Sequence, residues 1–160
     1  MIVIRDREKG LLWFNQEGYV EKIIEKYYYE DLTLVKIPFN ILVLLWLLPY
    51  EYEPLMDDRP EYLSKLGSMN YLSSGIRPDI IYTVSRLCEG NARPGKYHFA
   101  VIKHLFRYLK DIKGLIIIIG RHPGPGLYLH CYSDTSLADV LGTRHSTRGH
   151  IVFITNTLVH

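Results

Sequence analysis

Along the chain, apolar positions first alternate with polar ones, then recur at helical spacing, then alternate again. Ile2 and Ile4 alternate with Val3 and Arg5, Glu8-Lys9-Gly10 supplies a turn, and Leu11-Leu12-Trp13-Phe14 returns, which predicts a β-hairpin over residues 2–14. Asn15 then stands where a helix cap belongs. Val20, Ile23, Ile24 and Tyr27 recur on one side of the predicted helix, with Glu21, Lys22, Glu25 and Lys26 on the other. From Glu61 to Ser73 a second helix carries Tyr62, Leu63, Leu66, Met69 and Leu72 on a broad face, with Gly75 placed to close it. Pro78 sits at a first-turn position with Asp79 beside it, favourable at the positive end of a helix dipole. Ile80, Ile81, Val84, Leu87 and Cys88 form that helix's stripe, and Gly90 ends it. A further helix follows Arg93-Pro94-Gly95 and runs to about Lys113.

After Gly114 the period changes. Leu115-Ile116-Ile117-Ile118-Ile119 is a β-branched run that predicts a buried strand. Residues 120–126 are rich in glycine and proline and predict a turn. Leu127, Leu129 and Cys131 then alternate with Tyr128, His130 and Tyr132 in a second strand, and Gly149 to about Thr155 makes a third. A sheet of two or three strands with no closing element leads to the expectation of an incomplete domain. The fold class expected is α+β: a β-hairpin plus helix, a small helical bundle, and a truncated sheet.

Between helix one and helix two, residues 36–60 read as a linker, with Pro38, Pro49, Pro54 and Pro60 and the acids Glu51, Glu53, Asp57 and Asp58. Inside it lies the apolar run Ile41–Leu48. Eight residues fall far short of the roughly 20 that span a bilayer, so a packed segment is expected and no membrane partner.

Composition narrows the class without naming a function. The chain has 160 residues, 48% of them hydrophobic, a net charge of +2 and two cysteines. That apolar share excludes intrinsic disorder, and two isolated cysteines exclude a disulfide scaffold. A reduced, intracellular chain, cytoplasmic or nuclear, is the expectation, with Cys131 a core thiol. A charge near zero excludes a global polyanion-binding field but allows a local basic face.

Such a face is present. At about 100° per residue, Lys96, Lys103, Arg107 and Lys110 fall within an arc of roughly 60° on the last helix. Ile102, Leu105, Tyr108, Leu109 and Ile112 occupy the other side. A basic ridge backed by a core face suits tracking a phosphate backbone, although spacing alone favours an ordinary solvated helix face. Tyr132-Ser133-Asp134 offers a carboxylate on a strand, where it can join a divalent-cation site, but only Asp139 lies near it in sequence. Asp134 alone reads as a turn-capping residue. His98 and His104, six apart on a helix, cannot share a metal. Gly124-Pro125-Gly126 lacks the context of a phosphate loop, and Ser146-Thr147 has no base beside it. Tyr27-Tyr28-Tyr29 can stack bases or form part of a core.

Longer motifs then come into register. Residues 66–72 (LGSMNYL), 77–87 (RPDIIYTVSRL) and 104–110 (HLFRYLK) resemble the patterns GS-x-x-YL, TRPDI-x-YAVS-x-L and LRYLK-G-T of the polyprotein of copia-type LTR retrotransposons. Tyr132-Ser133-Asp134 through Ala138-Asp139, with residues 144–149 (RHSTRG), is similar to the family's YSDADWAGD…RRSTSGY. Arg5-Asp6-Arg7, Leu12-Trp13 and residues 15–23 (NQEGYVEKI) resemble IRDR…LWLSQEGYIEKIL. The likeness covers nearly the whole chain in the family's order.

This resemblance implies a division of labour. Residues 1–35 correspond to the end of a reverse transcriptase palm (hairpin and helix), 36–60 to a linker, 61–114 to a thumb-like helical bundle, and 115–160 to the truncated start of an RNase H-like domain. It implies that Lys96, Lys103, Arg107 and Lys110 face a template–primer duplex, RNA–DNA or DNA, held weakly. It also implies that Asp134 matches the first of several RNase H carboxylates, which hold Mg2+ in the intact family. The departures carry equal weight. The family's polymerase aspartates, in a Y-x-DD strand pair, precede the segment matching Met1, and its later RNase H carboxylates follow the segment matching His160. Ser136 and Leu137 stand where the family has a second acid and a tryptophan. A phosphoryl-transfer site without its metals lacks the charge that stabilises the transition state. The expectation is therefore a fragment of a reverse transcriptase/RNase H polyprotein, inactive by itself, without a cofactor of its own and prone to self-association. The alternatives are a domesticated protein-interaction module or a translated remnant.

Overall fold

A computed structural model describes residues 1–29, 31–38, 58–120, 128–138, 144, 146–155 and 157–158. The apolar run Ile41–Leu48, most of the linker, Asp139 and the glycine-rich turn after Gly120 lie outside the described residues. Helices and two three-stranded sheets make this an α+β chain. It divides into two compact units, one built on residues 15–116 and one on residues 2–14 with 117–160.

In the first unit, α1 (Glu17–Lys26) has Gln16, not the expected Asn15, at its N-cap, with no side-chain cap there; one residue earlier the Asn15 carboxamide accepts the Glu17 N–H at 2.6 Å. The helix buries Val20, Ile23 and Ile24, the stripe read from the sequence. The next helix, α2 (Arg59–Gly75), is longer than expected and buries Tyr62, Leu66, Met69 and Leu72, while Leu63 is exposed. About 100° round the helix from Tyr62, Leu63 falls past the edge of the buried face. Gly75 is the last helical residue. A Cβ there would come within 2.9 Å of the buried Gln16 amide, so a larger residue at this close approach of α2 to the start of α1 would displace the end of that side chain.

Pro78–Ile80 forms a single 3₁₀ turn ahead of α3 (Ile81–Cys88), rather than the first turn of an α-helix. That turn faces Ile80 inward and leaves Ile81 exposed, splitting a pair that the stripe placed together. The longest buried face belongs to α4 (Lys96–Asp111), with Val101, Ile102, Leu105, Phe106 and Leu109 inside. At its start the Gly95 N–H donates to Nδ1 of the buried His98 at 3.1 Å, and a Cβ on Gly90 would collide with the other side of that ring. Gly90 thus serves His98 as well as ending α3.

The second unit is built differently. The hairpin strands β1 (Ile2–Asp6) and β2 (Leu11–Asn15) join β3 (Ile116–Gly120) in the order β1-β2-β3. Gly10 takes φ 66° in the turn, a conformation that favours glycine, and the Lys9 N–H donates to the Asp6 carboxylate at 3.0 Å. The sequence grouped the hairpin with α1; in the structure it pairs instead with a strand that follows the helices. The second sheet has the order β4-β5-β6, from β4 (Leu129–Ser136), β5 (Thr147–Ile154) and β6 (Thr157–Leu158). Its strands are antiparallel, with Leu129 opposite Ile154, Asp134 opposite Gly149, and Phe153 opposite Leu158.

Two expectations fail here for one reason. The run at residues 115–119 is half-exposed rather than buried, and Cys131 is exposed rather than a core thiol. A β-branched run specifies a strand, but burial needs a second layer, and among the described residues of this unit none is buried.

Candidate nucleic-acid interface

The four cations read from the sequence do lie along α4, and the fold divides them. Arg107 donates from Nε to the Thr33 carbonyl at 2.7 Å and from Nη2 to the Thr33 hydroxyl at 2.8 Å. Lys110 donates to the Leu32 carbonyl at 3.1 Å. On the same stretch His104 meets the Ile37 carbonyl at 2.8 Å, and Lys36 pairs with Asp111 at 3.0 Å. Residues 31–38 therefore run along the second half of α4, and side chains of that helix donate to backbone carbonyls that lie outside any described strand or helix. Lys96 and Lys103 remain exposed, and no hydrogen bond or ion pair holds either among the described residues. The ridge is thus an open half, Lys96 and Lys103, and an occupied half, Arg107 and Lys110.

Behind the ridge, Arg77 is 1% exposed and grips Asp79 with two parallel hydrogen bonds, Nε to Oδ1 at 2.9 Å and Nη2 to Oδ2 at 2.7 Å. Its guanidinium lies 5.8 Å from the Tyr108 ring centroid. Burial raises the Tyr108 pKa, and the Asp79 carboxylate adds to that rise. The sequence suggested Asp79 as a helix-dipole partner; its partner is the arginine two residues earlier. That Arg-x-Asp spacing was the available signal. The remaining guanidinium nitrogen of Arg77, Nη1, is buried without a hydrogen bond.

The tyrosine run resolves into two roles. Tyr27 and Tyr29 pack against Phe106 with centroids 5.5 and 4.5 Å away, while Tyr28 is exposed. Lys65, on α2, lies over the rings of Tyr27, Tyr29 and Phe99 and donates to the Tyr29 hydroxyl at 3.1 Å. Burial pulls the Lys65 pKa down, but hydrogen bonds with Glu61 and Tyr29 outweigh it, and the net shift is upward. Two of the three tyrosines therefore belong to packing, not to stacking on a ligand.

Asp134 lies inside β4 rather than at its end, exposed, with Oδ1 accepting the Thr135 N–H at 2.9 Å. Among the described residues no group of three or more His, Cys, Asp or Glu side chains comes together. One solvent-facing carboxylate, already bonded to its neighbour's backbone, does not make a donor set for Mg2+. The Ser146 hydroxyl accepts the Ala138 N–H at 3.1 Å, so it serves loop structure. No helix among the described residues is long and apolar enough to cross a membrane.

No family model matches the chain, and no solved structure matches it. Curated relatives do. Over 154 residues, 94% of this chain, it is 27% identical to the retrovirus-related Pol polyprotein from transposon TNT 1-94 of Nicotiana tabacum, covering 11% of that protein. Over 99 residues, 62% of this chain, it is 35% identical to the retrovirus-related Pol polyprotein from transposon RE1 of Arabidopsis thaliana, covering 6% of it. It is also 27% identical over 155 residues to an uncharacterized mitochondrial protein of Arabidopsis thaliana, 60% of whose length it spans. The chain therefore spans a small part of the transposon polyproteins it matches. Its homologues are retrovirus-related Pol polyproteins of plant transposons.

Proposed function

We propose that this chain corresponds to the segment of a copia-type Pol polyprotein that joins reverse transcriptase to RNase H, and that its retained property is affinity for a nucleic-acid duplex. The observation that carries this is the open half of the α4 ridge. Lys96 and Lys103 project from a rigid helix whose opposite face is locked in the core. Two cations so presented meet successive phosphates without an ordering cost in the helix. Arg107 and Lys110 act one step back, holding residues 32 and 33 against the helix. The resemblance matches Asp134 to a catalytic carboxylate, and among the described residues no group of donors forms around it, which supports reading this chain as inactive by itself.

Fluorescence anisotropy with an RNA–DNA hybrid and a DNA duplex tests the binding. Affinity should fall steeply with salt, and Lys96→Glu with Lys103→Glu should remove most of it. Arg107→Gln should weaken binding less. Affinity unchanged by the double reversal rejects the ridge. Hybrid cleavage by the purified chain, abolished by Asp134→Asn, rejects the inactivity.

A further inference from the structure

Residues 31–38 form a strap along the second half of α4, and Arg107 holds that strap with the edge an arginine offers to an anion. The guanidinium turns Nε and Nη2 to two oxygens of a single residue, the Thr33 carbonyl at 2.7 Å and the Thr33 hydroxyl at 2.8 Å. This edge is the fork that grips carboxylate and phosphate oxygens in pairs. Both Thr33 oxygens are neutral, and among the described residues no carboxylate pairs with Arg107. The side chain therefore keeps its charge while its fork is occupied. A hydrogen bond to an ionised oxygen is roughly twice as strong as one to a neutral oxygen, so a phosphate outcompetes Thr33 for this edge.

Elsewhere the strap is lightly held. None of its residues belongs to a helix or strand, and Leu32 and Val35, which pack against the core, are only partly buried. Lys36 pairs with Asp111 through an ammonium-bearing side chain that is 85% exposed, and an exposed pair of this kind contributes little. Segments held in this way open at small cost. Arg107 also stands one helical turn beyond Lys103 and on the same face. Freed from Thr33, its fork lengthens the open half of the ridge from two cations to three.

We propose that Thr33 occupies the Arg107 fork in place of a phosphate, and that a backbone phosphate of a bound duplex displaces it and lifts the strap from α4. The proposal rests on α4 facing a duplex. The strap is then an internal competitor, and it lowers duplex affinity by whatever its release costs.

Two variants loosen the strap at constant net charge, Val35→Ala and the pair Lys36→Gln with Asp111→Asn. Each should bind a DNA duplex or an RNA–DNA hybrid about threefold more tightly in fluorescence anisotropy. In an Arg107→Gln background neither should gain, because no phosphate then needs the place of Thr33. Arg107→Gln alone should reduce the slope of log affinity against log salt by about 0.9, the loss of one phosphate contact. Trypsin reports the strap directly, as cleavage after Lys36 relative to cleavage after Lys9 in the hairpin. Bound duplex should speed that cleavage several-fold. Inorganic polyphosphate separates the strap from the duplex. Faster cleavage with polyphosphate, in a chain that ignores both duplexes, keeps the displacement of Thr33 by phosphate and rejects the duplex as its source. Loosened variants that bind no more tightly, a gain that persists with Arg107→Gln, or duplex binding that leaves cleavage after Lys36 unchanged or slower overturns the proposal.

Discussion

The helical unit and the sheet unit spend similar side chains on opposite ends. Ile102 and Leu105 on α4 are fully buried, whereas Ile2, Val3 and Ile4 on β1 are more than half exposed. The helices bury their stripes against one another, and that burial is what holds short helices together. Strands pair through backbone hydrogen bonds whether or not a layer covers them, so the described residues of the second unit form paired strands with no buried side chain. Strand pairing and burial are separate properties, and this chain shows them apart.

The largest test of that contrast is truncation. Phe106 is fully buried and touches both Tyr27 and Tyr29, so Phe106→Ala should cost about 3–5 kcal/mol in urea unfolding of the chain. Ile118→Ala, at an exposed strand position, should cost under about 1 kcal/mol. Equal costs would erase the distinction between the units. Next in size is Asp79→Asn, which leaves the Arg77 guanidinium buried without its counter-charge. The expected loss is about 3 kcal/mol, confined to the helical unit as read by far-UV circular dichroism.

The smallest effect depends on pH. Burial lowers the His98 pKa in the folded state, so the unfolded chain takes up this proton more readily. The resulting stability is fully present above the unfolded value of about 6.5 and is lost as pH falls through and below it. The slope is at most about 1.4 kcal/mol per pH unit. His98→Asn, which keeps an acceptor for the Gly95 N–H, should flatten it. The amides of β4 and β5 provide the control, since their hydrogen exchange, corrected for intrinsic rates, should not follow this titration.

The sequence made the helical unit legible because helical faces follow from spacing within a dozen residues. Val20, Ile23 and Ile24 on α1 and the buried face of α4 needed no information from elsewhere. The strands were legible as strands but not as exposed ones, since burial of residues 115–119 depends on a layer that no local pattern encodes. The ridge was legible as geometry. That Arg107 and Lys110 would be occupied was not, because the carbonyls they meet belong to Thr33 and Leu32, more than 70 residues earlier. Asp79 shows the reverse case, a partner two residues away overlooked in favour of a helix end.

The strap of residues 31–38 along α4 also bears on how the helical unit is assembled. Its hydrogen bonds join positions 67 to 78 apart in the chain, and the Lys113–Glu21 pair joins positions 92 apart. Each contact closes a long loop, whose entropy is lost before the contact gives anything back. During synthesis the strap's contacts with α4 must wait until nearly all of α4 has left the ribosome, whereas α1 can meet α2 earlier through Tyr19 and Tyr27. The strap is then among the last segments of the helical unit to be secured, and its backbone carbonyls are most open to other partners during that interval.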